Sequence, residues 1–485
     1  MWITVKRKYQ LIIQNSADHS VFMIKEAKGW TLPCVRPEEQ ESWQEVEILN
    51  RLVYKEFGIS AITLRCMDIS YTSHTQSERV RDSNGKRSRW VPPAGGHWAG
   101  EEAPKGHTLS VAIRGVYAMQ ASSIGSSKRG EWIRIHNLSG LKLASQEHGI
   151  ILKRWFAWAA QHRESALRVP WFEDGWYKER EAWIQKEPSL KAWAIVGITQ
   201  LRAWQRSAIL RISTRSGDLY YKEVPKVFSH ELYLSRELQR LFPENVPSII
   251  KLDSERCAIL MSDVGGVSLS RVSDVRHWET AVCLLADIQV RTLTLSQHFL
   301  DLGCFDQRLE NILRCMDSIF SDTSALKAGR IWALSEREIE RVHSCLPKLK
   351  LLCLELQNYK LPSALEHGDL WPTNILIKGE TCIYLDWSDS SISHPFFSVP
   401  VLLQAAANSF PQLRNLGEHL RNLYLEAWTD YAPMDCLIKA FELSQRLAPL
   451  HHCMLYLQHL LPGMVVKWEM ENMVPYYLRK VLEQI

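Results

Sequence analysis

The sequence of 485 residues has no Cys-x-x-C pair, no strong charge imbalance and no apolar run long enough to span a membrane. Its eleven cysteines are scattered, which argues against a disulfide framework or a thiolate zinc site and favours a reducing cytoplasm. The 58 basic and 54 acidic residues give a net charge of +4, too mild to indicate nucleic-acid or membrane binding. The N-terminus lacks the features of a signal peptide. We therefore expect a cytoplasmic protein without nucleic-acid or membrane partners.

The length exceeds what one hydrophobic core usually serves, so two or three domains are expected. An acid-rich stretch over 38–57 predicts a helix, and a Ser/Gly/Pro-rich stretch over 75–107 predicts a long loop, either a lid or an insertion. A helix is predicted over 145–168, and residues 169–175 have the composition of a linker. We place the first domain at 1–168.

The rest of the chain is rich in strands first and in helices later. From about residue 277 onward, apolar residues recur at helical spacing. We place a small strand-rich region at 169–265 and a large helical region at 266–485. The elements predicted in the small region are a helix over 176–185, strands between 195 and 222, a helix over 229–241 and a strand over 257–261.

One island in the helical region carries groups suited to phosphoryl transfer: residues 367–376 read HGDLWPTNIL and residues 382–387 read CIYLDW. Two apolar runs predict a hairpin that gathers Asp369, Asn374 and Asp386 at one end. Phosphoryl transfer from ATP needs a carboxylate to orient the acceptor hydroxyl and oxygen ligands for Mg²⁺. Taken singly, these residues are a turn cap, a turn residue and a solvated acid; their joint spacing favours the catalytic interpretation.

This pattern resembles the aminoglycoside phosphotransferase and choline kinase family, relatives of the protein kinases with their H-R-D-x-x-x-x-N and D-F-G motifs. The resemblance implies an α+β, bilobal protein-kinase-like fold with a small β-rich lobe and a large helical lobe. It implies that Asp369 is the catalytic base and that Asn374 and Asp386 are Mg²⁺ ligands, with Asp389 as a weaker candidate. His394 lies in a turn that resembles the one following in this family, where it is expected to pack and hydrogen-bond.

The resemblance extends to residues that would bind ATP. Lys222, at the end of a strand, resembles the lysine that contacts the α- and β-phosphates, although an exposed strand lysine is the alternative. Glu231 in the next predicted helix resembles the partner of this lysine, and Glu237 is its rival.

Two further segments complete the predicted nucleotide site. Residues 260–266 read LMSDVGG and resemble a hinge whose backbone binds adenine, so Met261 and Asp263 are candidate contacts; a simple glycine turn is the alternative. No G-x-G-x-x-G precedes them. Instead the W-x-x-S stretch at 204–207 resembles a subgroup in which such a loop caps the phosphates, with Ser207 as the contact.

The N-terminal region, with GWTLP at 29–33, resembles a Nudix hydrolase domain, an α/β/α sandwich, with a damaged metal-binding box. Leu52 and Lys55 stand where two acids are expected, and only Glu56 remains. A lysine repels a divalent cation, so we expect a non-catalytic Nudix-like domain. Glu41 and Glu45 lie one helical turn apart, and a solvated acidic face is favoured over a metal site.

Two other clusters have ordinary interpretations. His451, His452 and Cys453 lie in an apolar helix, where core packing or lining of an acceptor cleft is favoured over a metal site. The basic cluster KRSR at 86–89 predicts a solvated loop, with a lid over an anionic substrate as the alternative.

The sequence thus predicts a Mg²⁺- and ATP-dependent phosphotransferase that moves the γ-phosphate to a hydroxyl of a small molecule. Nine acidic and seven basic residues follow Asp386, no pronounced excess for a polycationic acceptor, so a sugar, nucleoside, aminoglycoside or other natural product stays open. A nucleotide-binding pseudokinase or scaffold, and a kinase acting on a peptide, are the alternatives. The oligomeric state is left open.

Overall fold

The computed structural model describes residues 3–38, 42–75, 109–122, 129–162, 164–327 and 332–485. The chain forms two compact units, residues 1–223 and 224–485. The predicted loop over 75–107, beyond its first residue, lies outside the described residues together with its basic cluster, and so does Glu41. The boundaries predicted after residues 168 and 265 stay predictions.

The first unit combines strands and helices along its described residues. Its strands are β1 Ile3–Asn15, β2 Ser20–Glu26, β3 Gly29–Thr31, β4 Cys34–Val35, β5 Ala61–Thr75, β6 Leu109–Ala121, β7 Glu131–Arg134, β8 Ile195–Trp204, β9 Ser207–Thr214 and β10 Gly217–Glu223. Its helices are α1 Glu47–Phe57, α2 Gln146–Gln161 and α3 Trp176–Lys186.

β1 is the central strand of the N-terminal sheet, whose order is β3-β2-β1-β6-β5, with β4 on β1 and β7 on β2. β1 and β6 are parallel, and their register runs from Ile3 opposite Leu109 to Gln14 opposite Gln120. Buried apolar residues of the sheet and of α2 form one cluster that includes Ile12, Met23 and Trp155. This burial of apolar surface stabilises the sheet against α2.

Helix α1 is shorter than predicted. The sequence predicted a helix over 38–57, whereas α1 begins at Glu47 and buries Leu49, Val53 and Phe57 along one face. The residues directly before α1 form a turn and then a single bridge to β8, in which Glu45 pairs with Arg202. An acid-rich composition favours a helix locally, but a strand edge offers these backbone groups better hydrogen bonds.

The segment 169–175, predicted as a linker, is instead part of the first unit's core. Trp171 and Phe172 are 0% and 1% exposed, and they lie in a short 3-10 turn that begins at Pro170. The Trp171 indole N–H donates to the carbonyl of Trp204 at 2.7 Å. The linker prediction is therefore wrong, because two large aromatic rings outweigh the turn-like Pro and Gly at its ends.

Strands β8, β9 and β10 form an antiparallel meander. Gln200 of β8 ties this meander to β5: its amide oxygen accepts the Thr63 N–H at 3.0 Å, and its amide nitrogen donates to the Thr63 carbonyl at 2.8 Å. At the end of β10, buried Glu223 accepts hydrogen bonds from Arg180 and Tyr221. The meander thus belongs to the same compact unit as the N-terminal sheet.

The second unit is mostly helical. Its helices are α4 His230–Leu241, α5 Val275–Arg291, α6 Ser296–Asp301, α7 Leu309–Ser321, α8 Thr323–Leu326, α9 Glu336–Gln357, α10 Val399–Ser409, α11 Leu416–Glu426, α12 Met434–Leu455 and α13 Met473–Gln484. Its strands are β11 Ile249–Asp253, β12 Ala258–Ser262, β13 Val267–Ser268, β14 Phe305–Gln307, β15 Ala364–Glu366, β16 Ile375–Lys378, β17 Thr381–Tyr384 and β18 Ser391–Ser393.

Two small sheets in this unit carry the predicted catalytic island. One has the order β13-β16-β17 and the other the order β14-β18-β15. The long helix α12 is apolar around most of its circumference and is therefore largely buried. The chain as a whole is mixed α+β, as predicted. Within the described ranges, no helix combines the length and apolarity needed to cross a membrane.

Candidate active site

The predicted catalytic residues lie on the connections between the two small sheets. β15 ends at Glu366, and the following loop leads through Asp369 into β16. β16 and β17 form the predicted hairpin, with Ile375 opposite Tyr384, so this prediction is confirmed. Asn374 and Asp386 flank the open end of this hairpin.

Asp369 and Asn374 are in direct contact. The side-chain amide nitrogen of Asn374 donates to the backbone carbonyl of Asp369 at 2.9 Å and to its Oδ2 at 3.1 Å. Both are half-buried, whereas Gly368, Leu370 and Ile375 are buried. The carboxylate is therefore held on a rigid loop with part of its surface still accessible.

His367 supports this loop from inside. Its Nδ1 accepts the backbone N–H of Asp369 at 3.3 Å, and its Nε2 lies 2.9 Å from the carbonyl of Leu385. An amide N–H can only donate, so Nδ1 is the acceptor and Nε2 carries the hydrogen that is donated to Leu385. The ring packs on Trp387 with 4.6 Å between centroids. A neutral imidazole thus links the segments of Asp369 and Asp386.

Asp386 has an unusual backbone conformation, with φ of 60° and ψ of 69° in the left-handed region. The backbone N–H of its neighbour Leu385 donates to the carbonyl of Asn374 at 2.8 Å, which brings the two predicted metal ligands close along the hairpin end. Left-handed non-glycine residues are uncommon and cluster at functional sites. Asp389, the weaker candidate, is 2% exposed in the short 3-10 turn that follows.

His394 is buried and neutral. Its Nδ1 accepts the backbone N–H of Phe396 at 3.4 Å, and its ring packs on Phe397. Burial lowers the pKa of His394 to about 3. These contacts fit the packing and hydrogen-bonding role expected for it.

The predicted hinge follows β12. Met261 pairs with Ile249 of β11, and the Asp263 carboxylate accepts the backbone N–H of Gly265 at 3.0 Å. Gly266 has a φ of 92°, and a methyl group on it would lie 2.4 Å from the carbonyl oxygen of Ile377. Only glycine fits there, so the segment is a tight connection between β12 and β13.

Of the two glutamates in α4, Glu231 is buried and Glu237 is half-buried. Glu231 is 3% exposed in the first turn of the helix. Glu237 forms an ion pair with Arg240 at 3.2 Å, one turn further along the same helix. A buried carboxylate needs hydrogen-bonding partners more than a surface carboxylate does.

The two remaining predicted nucleotide contacts lie in the first unit. Lys222 is 7% exposed in β10, so the alternative of an exposed strand lysine is wrong. Ser207 begins β9, and its Oγ accepts the Trp204 indole N–H at 3.0 Å. The W-x-x-S segment thus consists of the last residue of β8, a two-residue connection and the first residue of β9.

Residues 199–437 match the model of the phosphotransferase enzyme family. The C-terminal part of the chain carries a phosphotransferase-family domain. The matched segment runs from β8 into α12, so it contains Lys222, Glu231 and the whole island from His367 to Asp386. It covers just under half of the chain, and we assign the family to this segment.

Solved structures similar to the chain include kinases of small molecules. An ethanolamine kinase of Plasmodium vivax is 11% identical, with 66% of this chain and 100% of that chain covered and a TM-score of 0.45. A choline kinase of Streptococcus pneumoniae is 13% identical, with 56% and 99% covered and a TM-score of 0.35. An aminoglycoside phosphotransferase of Streptomyces rimosus is 14% identical, with 56% and 97% covered and a TM-score of 0.34. A search of curated proteins found no match.

One residue near the Asp369 loop carries no sequence signal. Tyr477 of α13 lies beyond the matched segment, yet burial raises its pKa well above the usual value, and Tyr456 and Asp369 act in the same direction. Its ring stacks on His452 with 5.0 Å between centroids. A tyrosine about a hundred residues after the motif cannot be connected with Asp369 by spacing alone.

The cluster at 451–453 is buried in α12, as core packing predicts. Burial lowers the pKa of His452 to about 4 and raises the pKa of the Cys453 thiol. His451 contacts the Ser393 hydroxyl at 3.3 Å. Among the residues that the structure describes, no group of three or more His, Cys, Asp or Glu side chains is arranged to hold a metal ion.

Proposed function

We propose that the phosphotransferase domain transfers the γ-phosphate of ATP to a hydroxyl group of a small molecule, with Asp369 as the catalytic base. The observation that carries this proposal is the Asp369–Asn374 pair, which stands on a loop anchored by His367 within the matched segment. In such a transfer a carboxylate accepts the proton of the attacking hydroxyl, while the protein positions the reactants. Asp369 has the anchoring and the accessibility that this role requires.

Asn374 and Asp386 form a donor set that fits Mg²⁺. The amide nitrogen of Asn374 is engaged by Asp369, so its oxygen is the atom available as a ligand. Mg²⁺ in kinases is held by one or two protein oxygens together with phosphate oxygens, so one amide and one carboxylate are sufficient. When bound, the ion would neutralise negative charge on the phosphates.

The remaining nucleotide contacts are part of the same proposal. Lys222 would contact the α- and β-phosphates, Ser207 would contact the phosphates, and Glu231 would have the role of the helix glutamate of the kinase family. The backbone around Met261 and Asp263 would bind adenine. Burial of Lys222 and Glu231 supports these roles, because buried charged side chains require specific partners.

For the N-terminal region we propose a non-catalytic Nudix-like domain. The acids that α1 retains are engaged by arginines: Glu47 pairs with Arg211 at 2.8 Å, and Glu56 pairs with Arg129 at 2.6 Å. Lys55 of the same helix adds positive charge. A divalent cation would have to displace these arginines, which supports a role without metal-dependent hydrolysis.

A screen of small hydroxyl compounds with Mg²⁺ and ATP tests the proposed function. Sugars, nucleosides, aminoglycosides and other natural products serve as acceptors, and ADP release is measured. We expect at least one acceptor to raise ADP release, and Asp369→Asn to abolish that increase while nucleotide binding, measured by calorimetry, persists. Asp435→Asn, on the exposed face of α12, is the matched control.

Three results would contradict the proposal. If Asp369→Asn turns over as fast as the unmodified protein, Asp369 is not the base. If ATP binds but no acceptor is phosphorylated, the protein is better explained as a nucleotide-binding scaffold. If label from γ-labelled ATP appears on polypeptide, the protein is better explained as a peptide kinase.

A further inference from the structure

A buried carboxyl group lies directly behind the Asp369 loop. Glu366, the last residue of β15, is 0% exposed. Its Oε2 accepts the backbone N–H of Ser398 at 2.9 Å, and its Oε1 accepts the side-chain amide of Gln289 at 2.8 Å. Gln289 is itself fixed by the Tyr424 hydroxyl, which donates to its oxygen. The Glu366 carboxyl is therefore held on both sides by donors with defined positions.

Ser398 connects this carboxyl to the loop. Its Oγ accepts the backbone N–H of Gly368 at 3.1 Å, and its own backbone N–H donates to Glu366 Oε2 at 2.9 Å. The hydroxyl oxygen of Ser398 can accept a hydrogen bond, whereas its backbone N–H can only donate one. Glu366 therefore holds the backbone of the residue whose hydroxyl oxygen holds the Gly368 N–H, one residue before Asp369.

The attachment is made at the tightest point of the loop. Gly368 has a φ of 78°, and a methyl group on it would lie 2.2 Å from the carbonyl oxygen of Asp389. The residue before it, His367, is anchored on Leu385. The two residues that precede Asp369 are thus each held by a separate hydrogen bond. If the Ser398 contact is lost, the Gly368 N–H loses its acceptor and only the His367 hydrogen bond remains.

Packing alone does not explain a glutamate at this position. Ala364 and Leu365, the other residues of β15, are apolar and buried. Burying a carboxyl group costs free energy even when it is hydrogen-bonded. Burial raises the pKa of Glu366 to about 8, against the opposing effect of the Ser398 and Gln289 hydrogen bonds. An apolar side chain would fill the space at lower cost, so the hydrogen bonds point to a different role.

We propose that Glu366 is a positioning residue that fixes Ser398 through its backbone N–H, so that the Ser398 hydroxyl fixes the Gly368 peptide and holds Asp369 against the acceptor hydroxyl. The effect on rate rests on the proposed phosphotransferase function; the effect on the loop does not. A displacement of a catalytic group by about 1 Å costs on the order of 100-fold in rate. Loss of the link is therefore expected to lower kcat and to leave nucleotide binding in place.

The test uses Glu366→Gln and Ser398→Ala in the full chain. Glu366→Gln keeps the size but leaves one acceptor oxygen for two donors, the Ser398 N–H and the Gln289 amide, and Ser398→Ala removes only the hydroxyl. We expect kcat to fall about 10- to 100-fold in each, with the KM for ATP unchanged. We also expect faster amide hydrogen exchange of the peptide spanning residues 366–374. The double variant should lose no more than the worse single variant, because both changes break the same link.

Glu338→Gln is the matched control. The Glu338 carboxylate accepts hydrogen bonds from Arg479 and from Ser335 at the start of α9, so its loss weakens the protein without involving the loop. This variant should keep its kcat and its exchange over residues 366–374.

The outcomes separate the two proposals. Unchanged exchange over residues 366–374 in both test variants overturns the positioning role, whether or not an acceptor is known. A parallel decline of kcat, ATP affinity and thermal midpoint overturns it too, because Glu366 then only supports overall stability. If the unmodified protein phosphorylates no acceptor, the proposed function fails, while the exchange result still decides the role of Glu366.

Discussion

Asn374 donates its side-chain amide to Asp369, at 2.9 Å to the backbone carbonyl and at 3.1 Å to Oδ2. The proposed base is therefore oriented by a neutral donor, which fixes its direction without adding a positive charge next to it. Because the amide nitrogen is used in this way, the amide oxygen is the atom that can face a metal ion. The Asn374 side chain thus orients the proposed base with its nitrogen and offers its oxygen to the proposed metal ion.

Asn374→Leu should impair both the orientation of Asp369 and the binding of Mg²⁺. The leucine has a similar volume but neither a donor for Asp369 nor a ligand oxygen. We expect turnover to fall on the order of 10- to 100-fold, and the Mg²⁺ concentration that gives half-maximal rate to rise. A Mg²⁺ titration of the ADP-release assay measures both. Asn408→Leu, which changes a surface asparagine paired with Gln404, is the control; an unaltered Mg²⁺ requirement in Asn374→Leu would exclude Asn374 as a ligand.

Gly368→Ala should destabilise the protein more than Gly379→Ala. Both glycines have positive φ, 78° and 60°, so both substitutions strain the backbone by about 1–2 kcal/mol. A methyl group meets the Asp389 carbonyl at 2.2 Å at Gly368, but meets nothing within 4 Å at Gly379. We expect a further loss of about 2–3 kcal/mol at Gly368, measured by denaturant unfolding. Equal losses would show that the loop can move away from Asp389.

The sequence predicts those parts of the site whose geometry is local. Asp369 and Asn374 are five residues apart around one turn, and the hairpin of β16 and β17 brings Asp386 to the same end. Apolar alternation and the turn at Gly379 are sufficient for that inference. The burial of Lys222 in β10 needed the structure, since a single lysine in a strand is more often exposed.

Contacts between distant residues could not be predicted. The start of α1 depends on β8, about 150 residues later, whose edge takes up the backbone around Glu45. Glu366 adjoins the motif, but its partners Gln289 and Ser398 come from α5 and from the segment before α10. A glutamate in a strand is ordinarily interpreted as solvent-facing, and only these partners explain its burial.

Gln200→Leu should weaken the first unit. Gln200 is 2% exposed and satisfies both backbone groups of Thr63, which is itself 0% exposed. Leucine would leave a buried N–H and a buried carbonyl without these partners, at a cost of about 2–4 kcal/mol. Limited proteolysis should show β5 and β8 becoming susceptible together, because they share this contact. Gln161→Leu, at the exposed end of α2, is the control; susceptibility of β8 alone would mean that the two strands open independently.

The buried His452 should make the second unit sensitive to acid. Burial lowers the pKa of His452 to about 4, from about 6.5 in an unfolded chain. The unfolded state therefore binds a proton first as the pH falls, and stability present above pH 6.5 is lost between about pH 6.5 and 4, by up to about 3 kcal/mol. His452→Phe keeps a ring against Tyr477 and should flatten the decline of the thermal midpoint over this pH range. His298→Phe changes an exposed histidine and should leave the decline of the thermal midpoint unchanged. If the unmodified protein and both variants show the same decline with pH, the acid sensitivity comes from other groups.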